Sequence, residues 1–353
     1  MMKQRTFFLF AALSISLLAG CVGTPVVYNS GCDCPQSGSV EDSAVLDPIP
    51  DGAVRTGLAL IGNVADSENA TAAAYDITMV GVTVDDKGVI QSCMIDSIDT
   101  KVTFDHTGTI TSDLNANVFT KNELGENYGM KAYGGANYEW NEQAAALARY
   151  AVGKTVDELK NGAVDESGKA PEGSDLASTA TIYLGGYVSA IEMAAANAQY
   201  LGAQAGDKLH LASISTIDSS KSAAPEEDGI AQLDCDVTVL TTSESTITSC
   251  IIDSIQAKVS FDRNGTITTD LSAPVQTKNE LGENYGMKAW GGAKYEWNEQ
   301  AAFFSEYVSG KNAEEVAGIA VNERTIPTDT DLSSSVTIAI GGFQNLIIKA
   351  MQG

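Results

Sequence analysis

The sequence predicts an α+β protein built from two tandem homologous domains, each an antiparallel β-meander packed with helices. Three observations predict it. Thr120–Ala145 recurs as Thr277–Ala302 with 24 of 26 residues identical, at an offset of 157 residues, a spacing of domain size rather than solenoid size. Ahead of each copy lie alternating apolar stretches broken by turn residues, the pattern of strands paired in hairpins. Behind each copy apolar residues recur at helical spacing. At 353 residues and 44% hydrophobic content, the chain is long enough for two domains that each bury a core.

In the first copy, Ala73–Val84 alternates through Tyr75, Ile77, Met79, Val82 and Val84 and reads as a strand. Asp85-Asp86-Lys87-Gly88 is a turn, and Val89–Phe104 continues as strand. Asp105-His106-Thr107-Gly108 is the next turn, with Thr109-Ile110-Thr111 a further short strand. In the repeated stretch Gly125, Gly129, Gly134 and Gly135 rule out a long regular element, so residues 121–137 read as a shaped loop. A helix begins at Trp140, with Ala144, Leu147, Ala148 and Ala151 on its apolar face. Thr155-Val156-Asp157-Glu158 is a capping box opening a short helix. Asp175-Leu176-Ala177-Ser178-Thr179-Ala180-Thr181 precedes a helix-like segment, 182–200, interrupted by Gly185-Gly186.

The second copy repeats this order after a polar stretch, 203–229. Ile230–Thr241 and Thr246–Phe261 form a hairpin around Ser243-Glu244. That turn sets Cys235 and Cys250 close to opposite each other on adjacent strands. In an exported chain a Cys235–Cys250 disulfide is expected, the alternative being two buried free thiols. A helix carries Trp297, Ala301, Phe304 and Val308 on one face, Asn312 and Glu315 stand where the capping box was, and Asp331-Leu332-Ser333-Ser334-Ser335-Val336-Thr337 precedes a C-terminal helix with Gly341-Gly342.

Met1–Arg5 is basic, Phe7–Leu18 is apolar and too short for an ordinary membrane span, and Leu18-Ala19-Gly20-Cys21 closes the run. This order resembles a bacterial lipoprotein signal. It implies a signal peptide over residues 1–20, lipidation of Cys21, and an exported chain tethered to a membrane by acyl chains. Residues 21–52 are rich in Gly, Ser, Pro and Asp and read as a flexible tether, within which Cys32 and Cys34 form an unassigned pair. The two domains then occupy 53–202 and 203–353. A net charge of −25 disfavours nucleic acid and anionic lipid surfaces as partners. The two histidines, His106 and His210, sit in no metal-ligand spacing, and no hydrolase nucleophile–base pattern is visible.

Meander, helix and a terminal D-x-x-S-x-[AV]-T segment together resemble the FMN-binding domain of bacterial exported flavoproteins, which ends in D-x-x-S-G-A-T. The resemblance implies FMN attached by a flavin transferase through a phosphoester to Thr181 and Thr337, with Asp175, Ser178, Asp331 and Ser334 as motif companions. It implies electron transfer with a redox partner, or flavin carriage, outside the cytoplasm. In this chain the family glycine is Thr179 or Ser335, and the family alanine is kept as Ala180 but is Val336 in the second copy. The repeated glycine–aromatic stretch adds Tyr128, Met130, Tyr285 and Met287 as candidates for contact with a flat ring. The competing reading is a non-redox surface module that binds another small molecule, a wall polymer or a protein. For the Asp, Ser and Thr residues it makes the motif a helix cap.

Overall fold

A computed structural model of the chain describes residues 50–353. The expected signal peptide and its lipidation site Cys21, the pair Cys32 and Cys34, and nearly all of the expected tether lie outside the described residues.

The first half opens with three strands, β1 (Arg55–Asn63), β2 (Ala72–Val84) and β3 (Ile90–Thr103), which pair antiparallel in that order. The second half repeats the meander as β4 (Lys208–Thr216), β5 (Gly229–Ser243) and β6 (Thr246–Phe261). The predicted turns form: Asp85 Oδ1 accepts from the backbone N–H groups of Lys87 and Val89, both at 2.9 Å, and Gly88 supplies a φ of 77°. Two strands were not anticipated. β1 and β4 carry few alternating large residues and many Gly, Ser and Thr, so their strand character rests on pairing with β2 and β5 rather than on their own pattern. The expected short strand at Thr109–Thr111 reduces to one bridge between Phe104 and Ile110.

Residues 121–137 are more regular than the expected loop. They form α1 (Lys121–Leu124), a 3₁₀ turn (Gly125–Tyr128) and α2 (Met130–Gly134), separated by glycines with positive φ. The glycines break a long element, as the sequence implies, but each break is a single residue and helical turns resume between them. Then follow α3 (Trp140–Ala151), α4 (Val156–Ala163), capped by Thr155 and Glu158 as predicted, and α5 (Gly185–Ala196). Gly185 and Gly186 therefore open α5 rather than interrupt it. The second half gives α6 (Lys278–Leu281), α7 (Met287–Gly291), α8 (Trp297–Val308), α9 (Ala313–Ala317), α10 (Thr330–Ser333) and α11 (Gly341–Gln352).

Each sheet is apolar on both faces, and the alternation sorts the residues. On β2, Tyr75, Ile77 and Met79 point one way; Val80, Val82 and Val84 belong to a different core. The second set packs under α3, α4 and α5 with Trp140, Leu147, Leu159 and Ile191. The equivalent face of β5 and β6 packs under α8, α9 and α11 with Trp297, Phe304 and Ile347. The first set meets the other sheet: Tyr75, Ile77, Met79 and Phe104 share one core with Leu233, Val237, Val259 and Phe261. The result is four layers, helices–sheet–sheet–helices, within one compact unit. Each half thus packs a core under its own helices, and a third core belongs to both.

The halves meet about an approximate twofold. The Phe104 and Phe261 rings stack in parallel, 4.0 Å between centroids and 1° between planes. Ala70 N–H donates to Gly265 O at 2.7 Å, and Ala223 N–H donates to Gly108 O at 2.8 Å. Gly81 lets the sheets approach: a Cβ there would lie 2.5 Å from Val239 Cγ2.

The Cys235–Cys250 disulfide does not form; both are free thiols. Cys235 pairs with Ile255 and Cys250 with Leu240, so they stand five residues apart along the ladder, roughly 17 Å at a strand rise of ~3.3 Å. They also face opposite sides of the sheet, Cys235 into the shared core and Cys250 under the helices. The hairpin turn lies beyond the position assumed from sequence, with Ser243 paired to Thr246 and a register shift at Thr241/Thr242. Burial pushes the Cys235 thiol up to about 12 and the Cys250 thiol up to about 11.

Candidate functional site

The repeated stretch is an internally tied unit, built in the same way twice. Thr120 caps α1 in a capping box: Glu123 N–H donates to Thr120 Oγ1 at 3.1 Å, and Thr120 N–H donates to Glu123 Oε2 at 2.8 Å. Gly129, at φ 85°, ends the 3₁₀ turn and starts α2. The buried Glu139 carboxylate accepts from Met130 N (2.8 Å) and Lys131 N (3.1 Å), the free N–H groups at the start of α2, while its own N–H donates to Glu142 Oε2 at 2.7 Å. Glu296 does the same for Met287 and Lys288 at 2.7 and 2.9 Å. Lys131 pairs with Glu142 at 3.2 Å, and this hydrogen bond raises its already high pKa.

One residue joins this unit to the motif threonine. Gln143, on the inner face of α3 and fully buried, accepts through Oε1 from Thr181 N (2.7 Å), Thr181 Oγ1 (3.2 Å) and Ile182 N (3.1 Å). Its Nε2 donates to Tyr138 O at 3.0 Å and lies 3.9 Å from Met130 Sδ. Gln300 repeats the set with Thr337 N (2.8 Å), Thr337 Oγ1 (3.2 Å), Ile338 N (3.2 Å), Tyr295 O (2.9 Å) and Met287 Sδ (4.0 Å). The signal for these glutamines was present in the sequence. Gln143 sits three residues after Trp140 and one before Ala144, a polar amide on an apolar helix face inside the repeated stretch.

Thr181 and Thr337 are themselves exposed. Their companions lie on short turns: Ser178 Oγ donates to Asp175 O at 2.6 Å, and Ser334 Oγ donates to Asp331 O at 2.9 Å. These turns end before α5 and α11 begin, and neither long helix carries a side-chain cap, so the motif does not cap the helix that follows it. Thr179 has φ −116°, and neither it nor Ser335 has a positive φ, so a residue other than glycine costs no backbone strain at these positions.

The aromatics divide by position. Tyr128 packs on the first-half core with the Lys121 ammonium 5.3 Å from its ring centre, and that ammonium also lies 5.4 Å from the Trp140 ring. Lys278 does the same with Tyr285 and Trp297 at 5.3 and 4.9 Å. Burial, then the nearby Asp99 and Asp76 charges, push the Tyr128 phenol up to about 12. Trp140 and Trp297 are core residues. The freely presented rings are Tyr133 and Trp290, 91% and 88% exposed, at one of the two positions where the repeated stretches differ. The structure therefore brings Met130 and Thr181 together through Gln143, and ties Tyr128 to Lys121; both Tyr128 and Met130 pack on the first-half core.

Two surface clefts are defined. One, of about 320 Å³, lies between β3 and α3 and includes Cys93, Asn141 and Arg149. The other, of about 260 Å³, lies between the halves. Neither includes Thr181 or Thr337. Among the described residues no group of three or more His, Cys, Asp or Glu is placed to hold a metal, and no helix is long and apolar enough to cross a membrane.

No protein-family model, no curated protein and no solved structure matches this chain.

Proposed function

We propose that the chain is an exported, lipid-anchored flavin carrier that presents two equivalent attachment points, Thr181 and Thr337, for FMN. The observation that carries this reading is the exposed threonine hydroxyl fixed by a buried glutamine, built identically in both halves. An attachment site needs a hydroxyl that an external transferase reaches, held in one rotamer. Gln143 and Gln300 hold the free hydroxyl in place for the transferase and still hold the motif backbone after Oγ1 gives up its proton and that one bond, so the residues present fit a group joined at Oγ1. The surrounding backbone accepts Thr179 and Ser335 without strain. When bound, flavin supplies the electron or hydride chemistry, and the protein supplies position and surroundings. The chain's part is to hold the motif backbone, through the N–H groups that Gln143 and Gln300 accept, and to present the group at the surface, where a redox partner reaches it.

The exposure of Tyr133 and Trp290 favours a second reading, a colourless surface module that stacks these rings on a sugar or another flat ligand. Intact-mass and visible spectra of the exported protein, produced with a flavin transferase, separate the two. A gain of one or two FMN units, with absorbance surviving denaturation and lost in Thr181→Ala/Thr337→Ala, is expected. No mass gain and no colour, even with added FMN, would overturn the flavin reading.

A further inference from the structure

The approximate twofold creates two junctions between the halves, and they are not alike. At one, α11 of the second half reaches the start of α1 in the first. Lys349 Nζ lies 2.5 Å from Glu123 Oε1 and donates to Ser213 O at 2.6 Å. Glu123 Oε2 is already held by Thr120 N–H, so Oε1 is the oxygen left for the ammonium. At the other junction, α5 reaches the start of α6. Gly185 and Gly341 open the two helices, which places Met193 where Lys349 stands. On the strands, Leu58 pairs with Gly81 and Leu211 with Val239, which places Leu60 where Ser213 stands. Glu280 matches Glu123 down to its capping box, with Oε2 accepting from Thr277 N–H at 2.9 Å. Its Oε1 has no partner among the described residues.

The space that Lys349 fills at the first junction is the 260 Å³ cleft at the second, lined by Leu58, Leu60, Met193, Asn197, Asp253 and Glu280. Its walls match the parts of a lysine side chain. Leu58, Leu60 and Met193 line an apolar passage suited to methylenes. Asp253 and Glu280 stand at the acidic end, and Asp253 is fixed there because its Oδ1 accepts from Ser254 N (2.7 Å) and Asn279 N (3.1 Å). Asn197 gives its Nδ2 to Leu58 O at 3.2 Å, which leaves its Oδ1 as a further acceptor. The volume falls just below the ~300 Å³ at which drug-sized sites begin, so the occupant is slender. Acidic residues alone would say little. Here the protein itself shows the twin of this carboxylate holding an ammonium.

We propose that the cleft between α5 and α6 binds a primary alkylammonium group, with Glu280 Oε1 taking the role that Glu123 Oε1 has for Lys349. The net charge of −25 draws such cations toward the surface. Met193, 38% exposed and unbranched, moves aside at little cost to admit the stem. The group comes either on a free amine or on the lysine side chain of a peptide, and two probes distinguish these sources.

The test is calorimetric titration of the exported protein at low salt with 1,5-diaminopentane and, separately, with Nα-acetyl-lysine amide. Saturable one-site binding of at least one probe is expected, and the stronger probe identifies the source. Glu280→Gln keeps the capping acceptor and removes the charge, and should weaken binding about tenfold or more. Met193→Lys supplies the ammonium from within, as Lys349 does, and should abolish binding without lowering the thermal midpoint. Glu123→Gln, at the closed junction, should leave binding unchanged. Absence of saturable binding by both probes, or binding that survives Met193→Lys, would overturn the proposal.

Discussion

At the residue scale, buried polar groups organise the molecule, and two kinds carry different consequences. Gln143 and Gln300 are uncharged, so each crosses from helix to motif without a desolvated charge, and each amide oxygen serves two backbone donors that would otherwise lack partners. Asp96 and Asp253 are carboxylates in equivalent positions, each tying the start of α1 or α6 to its sheet through Asn122 N and Asn279 N. Burial pushes both up to about 6, against the opposing pull of hydrogen bonds from Thr120 and Thr277 and from backbone N–H groups. The folded state therefore binds more protons than the unfolded chain between pH ~4 and ~6, and stability falls as pH rises through that window. Each of Asp96 and Asp253 contributes up to about 3 kcal/mol of stability at low pH that is lost as pH rises through the window. Asp76 and Asp236 shift in the same direction, mainly by burial. His210, held below its usual value by burial, acts in the opposite sense near the top of the window, but four carboxylates outweigh it. The exposed turn aspartates Asp105, Asp165, Asp262 and Asp270, held below 3.8, and the exposed glutamates Glu142, Glu158, Glu227 and Glu299, held below 4.5, act in the opposite sense, at and below the acid edge of the window. Urea unfolding from pH 5 to 7, above the range in which the glutamates titrate, should show declining stability, with a shallower slope in Asp96→Asn/Asp253→Asn, where the amide oxygen still accepts from the backbone. Stability that rises across this range, or a slope the double variant leaves unchanged, would refute the assignment.

At the element scale, the repeated stretch depends on which glycine stands where. Gly129 and Gly286 have φ of 85° and 86° and lie under the exposed rings: a Cβ would stand 2.6 Å from Tyr133 Cδ2 or 2.3 Å from Trp290 Cδ1. Gly134 has ordinary helical φ and open space around it. Gly129→Ala should therefore destabilise by about 1–2 kcal/mol and displace the Tyr133 ring, whereas Gly134→Ala should be neutral or stabilising by about 0.4–1 kcal/mol. Equal effects of the two in urea unfolding would mean that the φ-and-ring argument is wrong. These glycines also mark how far the sequence could be read. Their presence ruled out a long element, and Thr155 with Glu158 announced α4 directly, because both are local signals. α2 was hidden because it is tied by Glu139, nine residues beyond its first N–H, a partner visible only once the chain is folded, whereas α1 carried the same local signal as α4, Thr120 with Glu123, and the glycine that follows masked it. β1 and β4 were hidden for a related reason: their order comes from pairing with β2 and β5. The threonine motif could be read as a candidate site from sequence, but Gln143 could not be placed against it, since 38 residues separate Gln143 from Thr181.

At the scale of the whole molecule, the two halves make shared structure as well as repeated structure. Each half closes one face of its sheet with its own helices and leaves the other to its twin. The exposed face of a separated first half would present Leu58, Leu60, Tyr75, Ile77, Met79 and Phe104 together, far more contiguous apolar surface than a monomer ordinarily leaves in water. Because the two halves pack about an approximate twofold, with Phe104 stacked on Phe261, a second copy of the first half offers nearly the surface that the second half supplies. Two outcomes follow. The intact chain should unfold in one cooperative transition, since losing either sheet uncovers the shared core. Residues 50–202 produced alone should sediment as a dimer at micromolar concentration, with stability that falls on dilution. Phe104→Asp should disperse that dimer into an unstable monomer, because it puts two like charges where the rings would stack. A first half that stays monomeric with the full-length chain's cooperative unfolding would show that the helix-side core suffices, and that the shared core joins two units already folded.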